Sequence, residues 1–344
     1  MDHAVIKPEK LAAHAAGVLA GEVVIPNLMH KKGYEDYKGA RDDTLNVKVR
    51  GVLPGRTTEW RSGKDDDPNA DPGTREKLKW DKYTETNVAV TFGGNAYSAV
   101  HVTDEQAEMD FGNYTALLNP QAEAVGRGLE AEAAAHIEST TYNVVLAPQE
   151  TNHATFVEAR RCLNLLRAPA EQRIMLVGSS FEAELLNDDK FNRADSVGEA
   201  AANTALRQAT IRNWMGFTVI SSLEIDPDTA YAFVPSAFVF ISGAPAVPAS
   251  VPFGATASHN GIAMRWLRDY DSEYQRDRSV VNTWYGFQST KDSLVGPGNL
   301  TGTEIKKVDD VFVRGIKIDL NAATSTYPTG DLADITGLAD PSSS

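Results

Sequence analysis

"NPQAEAVGRGLEAEAAAHIEST" (residues 119–140) carries the longest helical signal in the chain. Asn119 is a good N-cap and Pro120 suits the first helical position, so the pattern predicts a helix opening at this pair. Ala122, Val125, Leu129, Ala133 and Ile137 then fall along one face. At 1.5 Å per residue such a helix is roughly 33 Å long. Gly126 and Gly128 inside it each cost about 1 kcal/mol relative to alanine, which is expected where another backbone packs closely. A long helix with a small-residue face suits a spine.

Upstream lie two stretches with the period of two that a strand requires, "LNVKVRGVLPGRTTEW" (45–60) and "LKWDKYTETNVAVTF" (78–92). In the first arm Leu45, Val47 and Val49 alternate with polar residues; beyond Gly51, a candidate bulge, the alternation resumes with Val52, Thr58 and Trp60. In the second arm Leu78, Trp80, Val88, Val90 and Phe92 share one face. A hairpin centred near residue 70 sets Trp60 opposite Trp80 and Val52 opposite Val88. Its tip, "SGKDDDPNADPGTREK" (62–77), has no apolar anchor. A two-stranded ribbon alone in water is marginal, so this one lies either on its own domain or on a neighbouring subunit. The solvated tip favours the neighbour, with Trp60, Lys64, Asp65, Asp66, Asp67, Arg75, Lys77 and Trp80 as candidate inter-subunit contacts.

The segment "LAAHAAGVLAGEVVIP" (11–26) reads as an N-terminal amphipathic helix, too short and too often interrupted to span a bilayer. It is also a poor secretory signal, so a soluble, intracellular protein is expected. Downstream of the spine, short helices and strands alternate. Helices are expected at 153–167, at 179–188 with Ser179 and Glu182 as a capping box, and at 197–209 with Ser196 and Glu199 in the same roles. Strands are expected at 173–178, 215–223 and 231–242. A proline- and glycine-rich stretch, 243–254, reads as a domain crossing point. One further strand is expected over 262–289 and a strand pair within 296–320. The end, 321–344, is polar and poor in core formers, so it reads as a flexible extension or an arm ordered on a partner.

Composition bounds the function. The 344 residues are 42% hydrophobic and 23% charged, which suits a folded chain with one large core or two modest ones. Forty-seven acidic against thirty-three basic residues give a net charge of −14, which disfavours nonspecific grip on nucleic acid or anionic membranes. Cys162 is the only cysteine, which excludes an internal disulfide and reads as a small core hydrophobe.

Catalytic patterns fail in turn. The phosphate-loop template at Gly63–Lys64 meets Thr58 where glycine is needed and Asp65 where serine or threonine is needed. "VGSSFEA" around Ser179 lacks the nucleophile elbow. The seven histidines are too scattered to propose metal ligands, and His101 and His136 read as structural residues. No carboxylate pair is singled out by an apolar setting. No catalytic residue, cofactor or metal is assigned.

The order of parts carries a resemblance. A helical N-terminal arm precedes a long hairpin; "VHVTDEQAEMDFGNYTALLNPQAEAVGRGLEAEAAAHI" (100–137) runs into the spine helix. A mixed α/β section contains "LRQATIRNWMGFTVISS" (206–222), and "AMRWLRDYDSEYQRDRSVVNTWYGF" (263–287) returns. Over about residues 10 to 290 this resembles the major capsid protein of tailed bacteriophages, with the α+β HK97-like fold. The Thr103–Asp104 step before the spine gives it the flavour of the P22 coat-type branch. The resemblance implies an N-terminal arm (1–44), an extended loop (45–93), a peripheral domain (94–145 with 255–290), an axial domain (146–254) and a C-terminal extension (291–344).

The same resemblance implies a structural protein forming hexamers and pentamers of itself. They would enclose DNA without reading its sequence, in a virion assembled in the bacterial cytoplasm and without a membrane. Only about ten residues precede the first helix, so a separate scaffolding protein is expected, with a portal and a possible decoration protein as further partners. Some relatives join a hairpin lysine to a neighbour's asparagine. Lys64 or Lys77 would stand in that place, but no asparagine or assisting glutamate is identifiable, so no crosslink is assigned. Two other readings remain: an encapsulin-type compartment shell of the same fold, and an α/β enzyme whose site has no recognisable pattern.

Overall fold

The computed structural model describes residues 7–32, 44–49, 52–53, 55, 80–83, 85–109, 114–187, 213–296 and 305–338. The chain opens with α1 (Pro8–Glu22), whose first-turn proline costs no hydrogen bond, then α2 (Ile25–Leu28) and β1 (His30–Lys32). A hairpin of β2 (Thr44–Val49) and β3 (Thr86–Thr91) leads into β4 (Gly94–Thr103) and α3 (Asp104–Met109). Thr103 and Gln106 cap α3 reciprocally: the Gln106 N–H donates to Thr103 Oγ1 (3.4 Å) and the Thr103 N–H to Gln106 Oε1 (3.2 Å). The Thr103–Asp104 step thus serves locally as the capped start of α3.

The spine is α4 (Tyr114–Ser139), 26 residues and roughly 39 Å long. It starts five residues before the expected cap at Asn119, and Pro120 lies inside it. The proline removes only the N–H that would bond to the Ala116 carbonyl, and burial of Leu118 continues the apolar face upstream. Ala122, Val125, Leu129, Ala133 and Ile137 are all buried, as their spacing predicts. A Cβ placed on Gly126 would lie 2.9 Å from Glu22 Cβ and 3.6 Å from the Leu19 carbonyl, so this glycine lets α1 press against the spine. The same reasoning fails for Gly128, which faces open space within the subunit.

After β5 (Val145–Leu146) come α5 (Asn152–Leu165), β6 (Arg173–Val177) and α6 (Ser179–Asn187). Thr151 caps α5, accepting from the Ala154 N–H. At α6 the capping differs from expectation: the N–H groups of Ser180 and Phe181 donate to the Pro227 carbonyl, at 3.1 and 3.2 Å. A Cβ on Gly178 would collide with the Asp226 and Pro227 carbonyls, so glycine is required there for a loop to close over the helix end. The expected helix at 197–209 lies outside the described residues.

Then come β7 (Asn213–Trp214), β8 (Phe217–Ser221), β9 (Thr229–Phe233) and β10 (Phe238–Gly243). The single strand expected over 231–242 is two, because Pro235 starts a 3₁₀ turn at Pro235–Ala237. The break matters, since β9 and β10 belong to different sheets; the chain crosses between them at this turn and not at 243–254. Next are β11 (Phe253–His259), β12 (Ile262–Asp271) and β13 (Arg276–Ser289). The stretch read as one strand over 262–289 is thus an antiparallel hairpin, turned near Gln275 at φ 50°. The last elements are β14 (Asp292–Val295), β15 (Lys307–Val311), β16 (Gly315–Asp319) and α7 (Asp331–Thr336).

The first sheet runs β1-β10-β13-β12-β11, with β4 on the free edge of β13. Against it lie α1 and α4, sharing a core of Leu19, Leu129, Ile137, Phe240, Met264 and Trp266. A buried polar link ties the spine to the sheet. Gln121 donates to the carbonyls of Ser98 and Ser279 and accepts from the Ser279 hydroxyl, which itself receives the Trp266 indole N–H.

The second sheet runs β5-β16-β9-β6-β8-β7. The strand pair expected within 296–320 is split: β15 pairs with β14, whereas β16 sits between β5 and β9. Residues 321–338 are no loose extension. Leu332, Ile335 and Leu338, spaced three apart, bury in the core of Phe156, Leu163, Met175 and Ile316. Thr326 bridges Val145, and the Ser325 hydroxyl accepts from the Ala147 N–H.

Candidate assembly surfaces

Among the described residues, the β2–β3 hairpin is anchored at its base. Its register sets Leu45 opposite Val90 and Val47 opposite Val88, so the expected pairing of Val52 with Val88 is wrong by five residues. Symmetry about a guessed tip is a weaker restraint than the register at the base, where Leu45 and Val47 of one arm stand opposite Val90 and Val88 of the other. Val88 and Val90 are buried against Val239 and Ile241 of β10, with Phe92 alongside. Gly286 of β13 has no room for a Cβ because the Thr91 carbonyl crosses it. The Gly93 N–H donates to the Tyr285 carbonyl at 2.8 Å.

Trp80 is 92% exposed, and Val52, Leu53 and Tyr83 are exposed with it. Of the candidate contact residues only Trp80 can be placed; Trp60, Lys64, Asp65, Asp66, Asp67, Arg75, Lys77 and the bulge at Gly51 lie outside the described residues. A fully exposed indole is costly in a monomer and is the type of side chain that dominates interface energetics.

Two further surfaces emerge only from the fold. At the free end of β12–β13 Arg268 pairs with Asp277 (2.6 Å) and Arg278 with Asp269 (2.6 Å) and Asp271 (3.5 Å). The Arg276 guanidinium lies 4.7 Å over the Tyr274 ring, and the Tyr270 hydroxyl donates to Asp104 at 2.8 Å. Charges that pair across the strands stiffen this prong while Tyr270 and Tyr274 stay exposed. The second is the β8–β9 loop, where Leu223 is 90% exposed beside a buried Ile225. Alternation of apolar and charged residues in "RWLRDYDSEYQRDR" (265–278) is the sequence signal that could have found the prong.

Titratable groups in the interior have structural duties. Glu130 accepts from the N–H groups of Val24 and Ile25 at 2.9–3.0 Å, fastening α2 to the spine, and burial raises its pKa. Burial, with the Glu158 charge alongside, pushes the Cys162 thiol up to about 12, the state of an inert core cysteine. Glu158 is held low by Arg161, bonded at 2.6 and 2.8 Å, and also accepts from the Tyr327 hydroxyl. Among the described residues no cluster of three or more His, Cys, Asp or Glu is placed to hold a metal ion, and no helix is long and apolar enough to cross a membrane.

Comparison with known proteins agrees with this architecture. No curated protein matches the chain. Among solved structures it is similar to one from Mycobacterium phage Che8 (TM-score 0.58, 16% identity, 86% of this chain and 90% of that one). The capsid of cyanophage P-SCSP1u is similar at a TM-score of 0.58 and 9% identity, covering 88% and 89%. A virus-like particle from Pyrococcus furiosus is similar at 0.50 and 9%, covering 90% and 98%. These likenesses give the fold, which is HK97-like. The profile of the family described as "Phage capsid protein" matches residues 96–292, from β4 through the spine and both sheets to β14. That span is more than half of the chain, and the protein belongs to the phage capsid protein family.

Proposed function

We propose that this protein is the major shell subunit of a tailed-bacteriophage head, assembling with copies of itself around double-stranded DNA. The observation that carries this reading is the hairpin, fixed at its base by Val88 and Val90 and presenting Trp80 with no cover from its own subunit. Residues 45–93 act as the extended loop that lies on a neighbour. The peripheral domain, 94–145 with 255–290, is built round the first sheet and borrows β1 and β10. The axial domain, 146–254, is built round the second and borrows β16; residues 1–44 are the N-terminal arm and 291–344 the C-terminal extension. The role is structural and not catalytic, and hexamers and pentamers are the expected intermediates. Scaffolding, portal and decoration proteins are proposed partners, and the host cytoplasm is the proposed place of assembly. The net charge of −14 fits a wall that holds DNA without gripping it.

Electron microscopy and sedimentation of the full chain, alone and with gene products from its own locus, test this. Closed particles on the order of hundreds of ångströms across are expected. A protein that stays monomeric or dimeric in every condition overturns the reading. An encapsulin-type shell is the second reading, favoured by the likeness to the Pyrococcus particle. A cargo-enzyme gene beside this one, in place of terminase and portal genes, would select it.

A further inference from the structure

The last turn of α4 makes contacts with both sheets. On the first-sheet side, the His136 ring stacks on Phe287 of β13 (centroids 5.9 Å, 24° between planes) and meets Phe238 of β10 edge-on at 5.9 Å. On the second-sheet side, Glu138 accepts the Asp226 N–H at 2.7 Å, fixing the β8–β9 loop. Just past the helix, Tyr142 donates to the Ile137 carbonyl (2.9 Å) and packs on Tyr231 and Phe312, both at 5.5 Å. Asn143 donates to the Phe312 carbonyl at 2.6 Å.

His136 is the odd member of this junction, since its Nε2 is buried without a hydrogen-bond partner. Among the described residues, the titratable groups around it are engaged elsewhere and none pairs with its Nε2. Glu132, one turn earlier, is engaged with the Tyr285 hydroxyl of β13, and Glu138 points to the β8–β9 loop. Arg314, which reaches the Ser236 carbonyl of the neighbouring 3₁₀ turn, is already paired with Asp292. From β10 come the phenyl rings of Phe238 and Phe240, the latter stacked on Phe287. The slot thus accepts a neutral imidazole, and a cation placed there would have neither water nor an acceptor at Nε2.

We propose that the end of α4 is an acid-sensitive hinge between the two sheets, with His136 as its titrating residue. Above the ordinary imidazole range the neutral ring cements α4 to Phe238 and Phe287. Below it, opening of the turn lets the ring take up a proton in water, so the open form gains on the closed one. Burial lowers the pKa of His136 in the closed form, which is the sign this requires: the open form binds more protons, so stability falls as pH drops. The hinge belongs to the subunit itself and does not depend on what the subunit assembles into.

Hydrogen exchange of the full-length dispersed subunit, corrected for intrinsic rates, reads the hinge through peptides covering 130–142 and 225–242. Between the ordinary imidazole pKa of about 6.5 and the lower folded value, protection there should fall by roughly tenfold per pH unit, while peptides in β12 and β6 stay constant. His136→Phe fills the slot with a ring that cannot titrate and should hold protection level over the same range. Equal acid sensitivity in wild type and His136→Phe, or a flat response in wild type, overturns the proposal. Should His136→Phe not fold, the His136 ring is titrated by NMR in the wild-type chain, its signal assigned by its loss in His136→Gln. A midpoint below about 6.5 supports the hinge and one at or above it overturns it.

Discussion

Gly126 and Gly128 make the same demand on the spine helix and receive different answers. Each costs the helix about 1 kcal/mol against alanine, but only Gly126 is met by another element, the Leu19–Glu22 turn of α1. Gly126→Ala should therefore push α1 off the spine and lower stability by about 1–3 kcal/mol, the usual cost of overpacking. Gly128→Ala has open space and should raise it by about 0.5–1 kcal/mol. Thermal melts of the two variants as dispersed subunits decide the matter; equal shifts in one direction would mean that α1 does not seat as described. At Trp80 the expectation is a split between folding and assembly. Trp80→Ala removes a side chain that is 92% exposed, so the melt should move by no more than about 0.5 kcal/mol, whereas the yield of closed particles should fall. Normal particle yield would count against the hairpin as the clasp.

At the scale of elements, the sequence discloses those whose periodicity is long and uninterrupted. The spine face from Ala122 to Ile137 and the helix at Asn152–Leu165 are legible because burial tracks spacing, whereas the strand at Arg173–Val177 shows as a short, continuous apolar run that is buried at every position. Elements cut by one residue are not: Pro235 divides what reads as a single strand and sends its halves to different sheets, and nothing local says which. The partner of a strand is a property of the whole topology, which is why β16 is not found with β15. The end of the chain misleads for another reason. Three apolar residues, Leu332, Ile335 and Leu338, are few by composition but are all buried. Composition counts residues, whereas burial depends on where they point. Leu332→Ala and Ile335→Ala should each cost about 2–5 kcal/mol, and a chain cut after Leu320 should fail to give a cooperative melt. A truncated chain that melts like the parent would restore the loose-tail reading. Of the candidate assembly surfaces, the strand pair at the hairpin base is legible in the sequence, but its register and the Tyr270–Tyr274 prong needed the fold.

For the whole molecule, the decisive question is whether the hairpin serves the subunit or its neighbour. Its base is part of the subunit core, since Val88 and Val90 close over Val239 and Ile241, so cutting there would damage both functions at once. The span 63–74 is a cleaner target, because it contains no large apolar side chain and lies beyond the anchor by more than ten residues on either side. Replacing it with an Asn-Gly turn should leave circular dichroism and the cooperative melt of the subunit intact. Particle formation should be lost or sharply reduced. Exposed ion pairs contribute only about 0–1 kcal/mol each, too little to matter for one contact, but a closed shell repeats every interface many times and cannot close when each is weakened. Because Cys162 is buried and no crosslinking set is identifiable, particles of the parent protein should also dissolve in hot detergent to single chains of about 37 kDa, with or without reductant. Sedimentation separates the outcomes for the shortened hairpin. Normal, equally stable particles would show that the tip makes no clasp, and a shortened chain unable to fold would show that the hairpin is an internal arm of its own subunit.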